Sequence, residues 1–260
     1  MRKYARLFLK IISYNLKQQM QFRANFLLSI PVHLSWTVKE VIVIYILYNY
    51  TDIILGWKKN EFIFLLGTYF IIDSIVSCII LPNLQNLSEH IRAGFFDHVL
   101  LKPMDSQFYT LTYFFNMGVM AAALVGIFLV MYAGIGMNLK MTIFSLLGYL
   151  IFVLSGIVIF ASILIIAAVP VFKTVKIDYI RNVFICIANV ARKPISIFPD
   201  QIKKALYGCS IAFISYIPSC FALGKLGFKS CCLSIPVAIV LLFVNRKLWK
   251  KGIESYVSIS

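Results

Sequence analysis

The chain has 260 residues, 61% of them hydrophobic and only 13% charged, with a formal net charge of +15. Soluble domains carry about 25% charged residues, so this composition, at a mean hydropathy of +0.88, excludes an ordinary water-soluble globular protein. A chain of this length supplies roughly five to seven membrane spans of ~20 residues and leaves no room within it for an added soluble catalytic domain.

The basic excess invites a nucleic-acid reading. In polytopic proteins, however, basic residues gather in cytoplasmic loops and set orientation, so no nucleic acid is expected as a partner. The six cysteines (78, 186, 209, 220, 231 and 232) form no CxxC pair. They lie in or beside apolar runs, where Cys behaves as a small hydrophobe.

Residues 1–25 hold six Arg or Lys and no acid. Tyr4, Leu7, Phe8, Ile11 and Ile12 fall on one helical face, and Lys3, Arg6, Lys10 and Lys17 mainly on the other. That is the pattern of an amphipathic helix in the headgroup region, its cations meeting anionic lipid. A plain basic anchor ahead of the first span would read the same way. A signal peptide has an apolar core of only ~7–15 residues ending at small residues. Here the run is longer and no Ala-x-Ala site follows, so retention as an anchor is expected.

Residues 26–250 read as a transmembrane domain. A first span covers 26–49, a short outer loop 49–57, and a second span 61–81. A third span covers 108–135, a tight turn 136–141, and a fourth span 142–170, followed by Lys173, Lys176 and Arg181. Residues 175–192 form a short fifth span, 195–223 an interrupted or re-entrant helical region, and 230–247 the last span. Six spans place both the N-terminus and the tail, 251–260, in the cytoplasm, with the protein in the plasma membrane. The expected fold is an all-α integral membrane protein. Trp57, Trp249 and several Tyr fall at span ends, as interfacial aromatic belts do.

Between the second and third spans lies a polar stretch, 84–107, reading LQNLSEHIRAGFFDHVLLKPMDSQ. It cannot sit in hydrocarbon and reads as a surface loop or short helix where a soluble partner grips the protein.

Catalytic chemistry is poorly supported. There is no HExxH, no GxSxG and no GxxxxGK[ST], so the chain has no phosphate loop of its own. Glu89, His90, Asp97 and His98 come nearest to a metal cluster, yet they lack a recognised ligand spacing, and polar loop residues explain them better. Four ionisable residues fall inside spans: His33, Lys39 and Glu40 in the first and Asp73 in the second. Charge at the bilayer centre costs at least ~2.5–3.5 kcal/mol, so such groups face a protein interior or cavity. They read either as the lining of a translocation path or as a packing pair, for example Lys39 with Asp73.

The layout resembles the permease subunits of ABC-2-type ABC transporters. More specifically, Ile91-Arg92-Ala93-Gly94-Phe95-Phe96-Asp97-His98-Val99-Leu100-Leu101-Lys102-Pro103-Met104 is similar to a stretch after the second helix in the viologen-exporter-like branch. Ile91, Gly94, Asp97, Leu100, Lys102, Pro103 and Met104 match that pattern. Leu248-Trp249-Lys250-Lys251-Gly252-Ile253-Glu254-Ser255-Tyr256 resembles the closing motif of the branch, and Arg23-Ala24-Asn25-Phe26 its entry into the first helix. Phe95-Phe96 and Ile253 depart from the usual residues.

The resemblance implies two permease subunits, identical or sister chains, coupled to ABC ATP-binding subunits that bind ATP and Mg, with no cofactor in this chain. It also implies efflux of a drug, peptide or lipid-like substrate. The ATPase would be gripped through Arg92, Gly94, Asp97, Leu100, Leu101, Lys102 and Pro103. Gly94 permits a tight bend, Pro103 stops a helix, and the two leucines suit an apolar cleft. Gly94, Asp97 and Pro103 equally suit a re-entry turn. A permease for immunity to, or sensing of, antimicrobial peptides and a polytopic membrane enzyme are the rival readings.

Overall fold

The computed structural model describes residues 2–21, 23–139, 141–174 and 179–256, with side chains described except at 2–5 and 23–26. Lys176 and the side chains of Lys3, Tyr4 and residues 23–26 therefore lie outside the described residues.

In chain order the helices begin with α1 (Arg2–Gln21) and α2 (Arg23–Tyr50), followed by a two-strand hairpin, β1 (Ile53–Ile54) with β2 (Trp57–Lys58). Next come α3 (Lys59–Ile79) and three short helices, α4 (Leu81–Gln85), α5 (Leu87–Arg92) and α6 (Phe95–Leu100). Then α7 (Ser106–Thr112), α8 (Met120–Gly136), α9 (Ile143–Ala168), α10 (Val171–Thr174) and α11 (Tyr179–Ala191) follow. The chain closes with α12 (Asp200–Gly208), α13 (Tyr216–Ala222), α14 (Phe228–Cys232) and α15 (Ser234–Glu254).

Among the described residues, five helical stretches are long and apolar enough to cross a membrane: Leu27–Tyr50, Lys59–Ile79, Met117–Gly136, Ile143–Thr174 and Phe228–Glu254. The shorter apolar helix is Tyr179–Ala191. This is an all-α integral membrane protein, and residues 195–223 form short helices separated by turns.

The core sits around α3, the most enclosed of these helices, which packs along α8. Two glycines set that approach. A Cβ added at Gly67 would lie 2.8 Å from the Gly126 carbonyl oxygen, and one at Gly126 would lie 2.8 Å from that of Gly67. Small residues that let backbones approach are how helices associate where lipid supplies no hydrophobic drive. Buried hydroxyls add ties: Thr68 meets the Tyr149 hydroxyl at 2.9 Å across α3 and α9, and Ser155 donates to Ser234 at 3.2 Å across α9 and α15.

The third span expected over 108–135 is not one helix. α7 stops at Thr112, and a helical path resumes only at Met117. The freed backbone groups find side chains from elsewhere. Asn83 donates to the carbonyls of Leu111 (3.0 Å) and Phe114 (2.7 Å), and its own oxygen accepts from Phe114 N–H at 2.9 Å. From α1, Asn15 donates to the Tyr113 carbonyl at 3.1 Å, Gln19 donates to that of Phe115, and Gln19 accepts from Met117 N–H at 3.2 Å. The inward face of α1 thus carries Asn15 and Gln19 besides Phe8, Ile11 and Ile12, while Arg6, Lys10 and Lys17 are exposed.

The tryptophan positions also differ from the expected belt. Trp57 and Trp249 are buried. Trp57 donates to Ser196 Oγ at 3.0 Å, and the Lys225 ammonium lies 4.1 Å from its ring centre. Trp249 sits edge-on to Phe172 at 5.1 Å.

Candidate functional site

Two features stand out, one at each end of the argument from sequence: the polar stretch and the charged residues of α2 and α3.

The polar stretch folds as α4, α5 and α6, with Gly94 at φ +68° turning α5 into α6. That left-handed conformation favours glycine. One side of the stretch is pinned to the end of α15. The Tyr256 hydroxyl donates to Asp97 Oδ1 at 3.0 Å, and the Phe96 ring lies 5.4 Å from Tyr256 and 5.3 Å from Phe172. Phe172 in turn meets Trp249, and Gly252 makes room for it, since a Cβ there would lie 2.7 Å from the Phe172 ring. The two sequence motifs, 91–104 and 248–256, are therefore in direct contact.

The other side faces outward. Leu101 is 82% exposed and Leu100 40%, with Arg92 and Pro103 also exposed. Lys102 donates to the Tyr109 hydroxyl at 2.5 Å and covers its ring at 3.8 Å. Asp97, expected at the rim of a docking surface, is half-buried, with one oxygen on Tyr256.

At its far end the stretch is locked by Asp105, which caps α7 by accepting from Phe108 N–H at 2.9 Å. The same carboxylate takes a two-pronged hydrogen bond from Arg246 of α15, one arm at 2.9 Å. Burial works to raise the Asp105 carboxyl, but the Arg246 hydrogen bonds and charge and the Phe108 N–H outweigh it and hold it below its ordinary value. Gln107 bonds both Arg246 (2.9 Å) and Asn245 (3.3 Å), and Asn245 reaches Ser162 at 2.8 Å. Burial also pushes His90 down, with the Glu89 charge pulling the other way. His90 packs against Phe95 and Tyr113.

The second feature is a cavity of about 720 Å³ between α2, α3 and α11. It brings together all four intramembrane residues singled out from sequence, His33, Lys39, Glu40 and Asp73. Lys39 does not pair with Asp73: it pairs with its neighbour Glu40 at 3.1 Å and covers Trp36 at 4.6 Å. Glu40 also takes a hydrogen bond from Arg192 at 2.8 Å. Asp73 accepts from the Tyr69 hydroxyl at 2.9 Å, one turn away on α3.

Arg181 and Arg192, at the two ends of α11, complete the charged lining. In the sequence, Arg181 reads as part of the basic segment after the fourth span, and Arg192 is the last residue of the short fifth span. An Arg closing an apolar helix too short to span is the signal that could have pointed to a buried charged lining.

Taken together, this architecture defines a multi-pass α-helical membrane protein with a charged cavity and a rigid polar appendage at one end. The family model described as ABC-2 family transporter protein matches residues 34–260. The chain belongs to that family, and is the non-catalytic permease component of an ABC transporter. Membership implies association with an ABC ATP-binding subunit. No curated protein and no solved structure matches.

Proposed function

We propose that this permease belongs to the viologen-exporter-like branch and moves a drug, peptide or lipid-like compound out of the cell. It pairs with a second permease subunit in the plasma membrane, with both termini cytoplasmic. A separate ATPase, carrying ATP and Mg, grips the outward side of residues 84–107. The cavity around Glu40, Asp73 and Arg192 forms part of the substrate path.

The observation that carries this reading is the two-sidedness of the polar stretch. Its inner side is held by Asp97–Tyr256 and the Phe96–Phe172–Trp249 stack, while Leu101 stands out, 82% exposed, between Leu100 and Lys102. An apolar tip on a rigid support suits an apolar cleft, and rim charges such as Arg92 steer the encounter. Movement of the gripped element is then passed to α10 and α15.

The test is co-expression with an ABC ATPase and purification in mild detergent. Leu101→Asp should cut the ATPase recovered by about tenfold or more, as loss of one buried apolar anchor at an interface does, and abolish ATP-dependent uptake into inverted vesicles. Undiminished recovery and uptake would refute it.

A further inference from the structure

We propose that the cavity between α2, α3 and α11 takes an amphiphile with an acidic head, a carboxylate or a phosphate, and discriminates against a cation. This rests on reading the cavity as part of the substrate path. The charge balance of the lining is the starting point. Lys39, Arg181 and Arg192 face Glu40 and Asp73, and both acids are already engaged. Glu40 is held by Arg192 at 2.8 Å and Lys39 at 3.1 Å, while Asp73 receives the Tyr69 hydroxyl.

Donors, by contrast, remain. Arg192 Nε is buried without a hydrogen-bond acceptor. Arg181, also in the lining, has no carboxylate partner among the described residues. Lys39 spends one of its three N–H groups on Glu40. Guanidinium and ammonium groups at membrane depth carry a desolvation cost that an anion offsets. A carboxylate or phosphate head entering here meets three cations, Lys39, Arg181 and Arg192, against two acids in the lining. A cationic head would meet Glu40 already paired with Arg192 and Lys39, and would be repelled by the cations that outnumber the acids of the lining.

The rest of the ligand follows from the apolar wall. Trp36, Phe70, Val119, Phe184 and Ile185 give the body of an amphiphile a surface to lie on. The volume of about 720 Å³ falls in the range of sites that bury a small organic molecule. A free acid and an acidic membrane lipid share this chemistry.

Trp36 supplies the readout, because it lines the cavity while Trp57 and Trp249 are buried elsewhere. The purified full chain in neutral detergent is titrated with dibromostearate, its methyl ester and the matching dibromo-octadecylamine. Subtracting the Trp36→Phe variant leaves quenching at Trp36 alone. The acid should saturate at a concentration lower than the amine by about fivefold or more, a difference of ~1 kcal/mol, with the ester closer to the amine. Arg192→Gln should reduce that preference below about twofold.

Arg181→Gln is the second variant, chosen because Arg181 is exposed; it should shrink the preference in the same direction. Brominated phosphatidylglycerol against brominated phosphatidylcholine separates the sources. A gain for the former assigns the head to a lipid, and a preference confined to dibromostearate assigns it to a free acid. Equal quenching by acid, ester and amine, or a preference for the amine, overturns the proposal. No nucleotide or ATPase is needed, so this failure is distinct from a failure of the coupling experiment with Leu101→Asp.

Discussion

The pair of Asp105 and Arg246 is the most quantitative handle on how the polar stretch is fastened. Asp105 performs two tasks. Its carboxylate caps α7 through Phe108 N–H, and it takes both guanidinium arms of Arg246. The cap is worth ~1 kcal/mol. The ion pair has favourable two-pronged geometry, but the Arg246 side chain is 40% exposed and that of Asp105 27%. Screening holds its contribution to ~1 kcal/mol.

Asp105→Ala should therefore destabilise the protein by ~2 kcal/mol, and Asp105→Asn, which keeps an oxygen for the cap, by ~1 kcal/mol. Arg246→Gln should cost about as much as Asp105→Asn. Unfolding of the purified variants in detergent, arranged as a double-mutant cycle, should give a coupling of ~1 kcal/mol between the two positions. The folded carboxyl is held below its unfolded value. Its contribution is thus complete above the unfolded value and lost only as pH falls through the folded one. The coupling should accordingly be the same at about pH 7 and about pH 5. A coupling under ~0.3 kcal/mol, or equal costs for Asp105→Asn and Asp105→Ala, would show that the two residues do not work as this geometry requires.

Other perturbations test separate parts of the fold. Gly126→Ala forces α3 and α8 apart and should cost ~1–3 kcal/mol, whereas Gly134→Ala on the same helix meets nothing within 4 Å and should be neutral or mildly stabilising; thermal midpoints separate the two. Asn83→Ala strips three backbone groups at Leu111 and Phe114 of their partner. It should cost ~3 kcal/mol and speed hydrogen exchange selectively over 111–117. For His90 the folded value is lowered, so protonation favours the less packed loop. Stability should fall as pH drops below the unfolded value of 6.5, and His90→Phe should flatten that dependence in a pH series of unfolding curves.

Much of the architecture follows from apolar run lengths, because a span must satisfy its backbone internally and so declares itself as a long uniform stretch. The polar segment was legible for the converse reason. The break at 113–116 was not. Tyr113-Phe114-Phe115 is locally indistinguishable from continuing helix, and the groups that stabilise the break, Asn15, Gln19 and Asn83, lie far away in sequence. Trp57 and Trp249 failed the belt expectation because their burial depends on Ser196, Lys225 and Phe172, which no local pattern links to them. In the cavity, composition exposed His33, Lys39, Glu40 and Asp73 as misplaced charge. Their partners had to be read from geometry, since Glu40 and Arg192 are separated by 152 positions.

The clasp of α1 on the break reaches beyond local packing. Asn15 and Gln19 satisfy backbone at Tyr113, Phe115 and Met117, while Lys10 and Lys17 on the opposite face of the same helix stay exposed. Lifting α1 off would leave those groups dry and unmatched, so its seat and the root of α8 come loose together or not at all. A pull on either exposed lysine of α1 is thereby handed, through two amide side chains, to the backbone just ahead of α8.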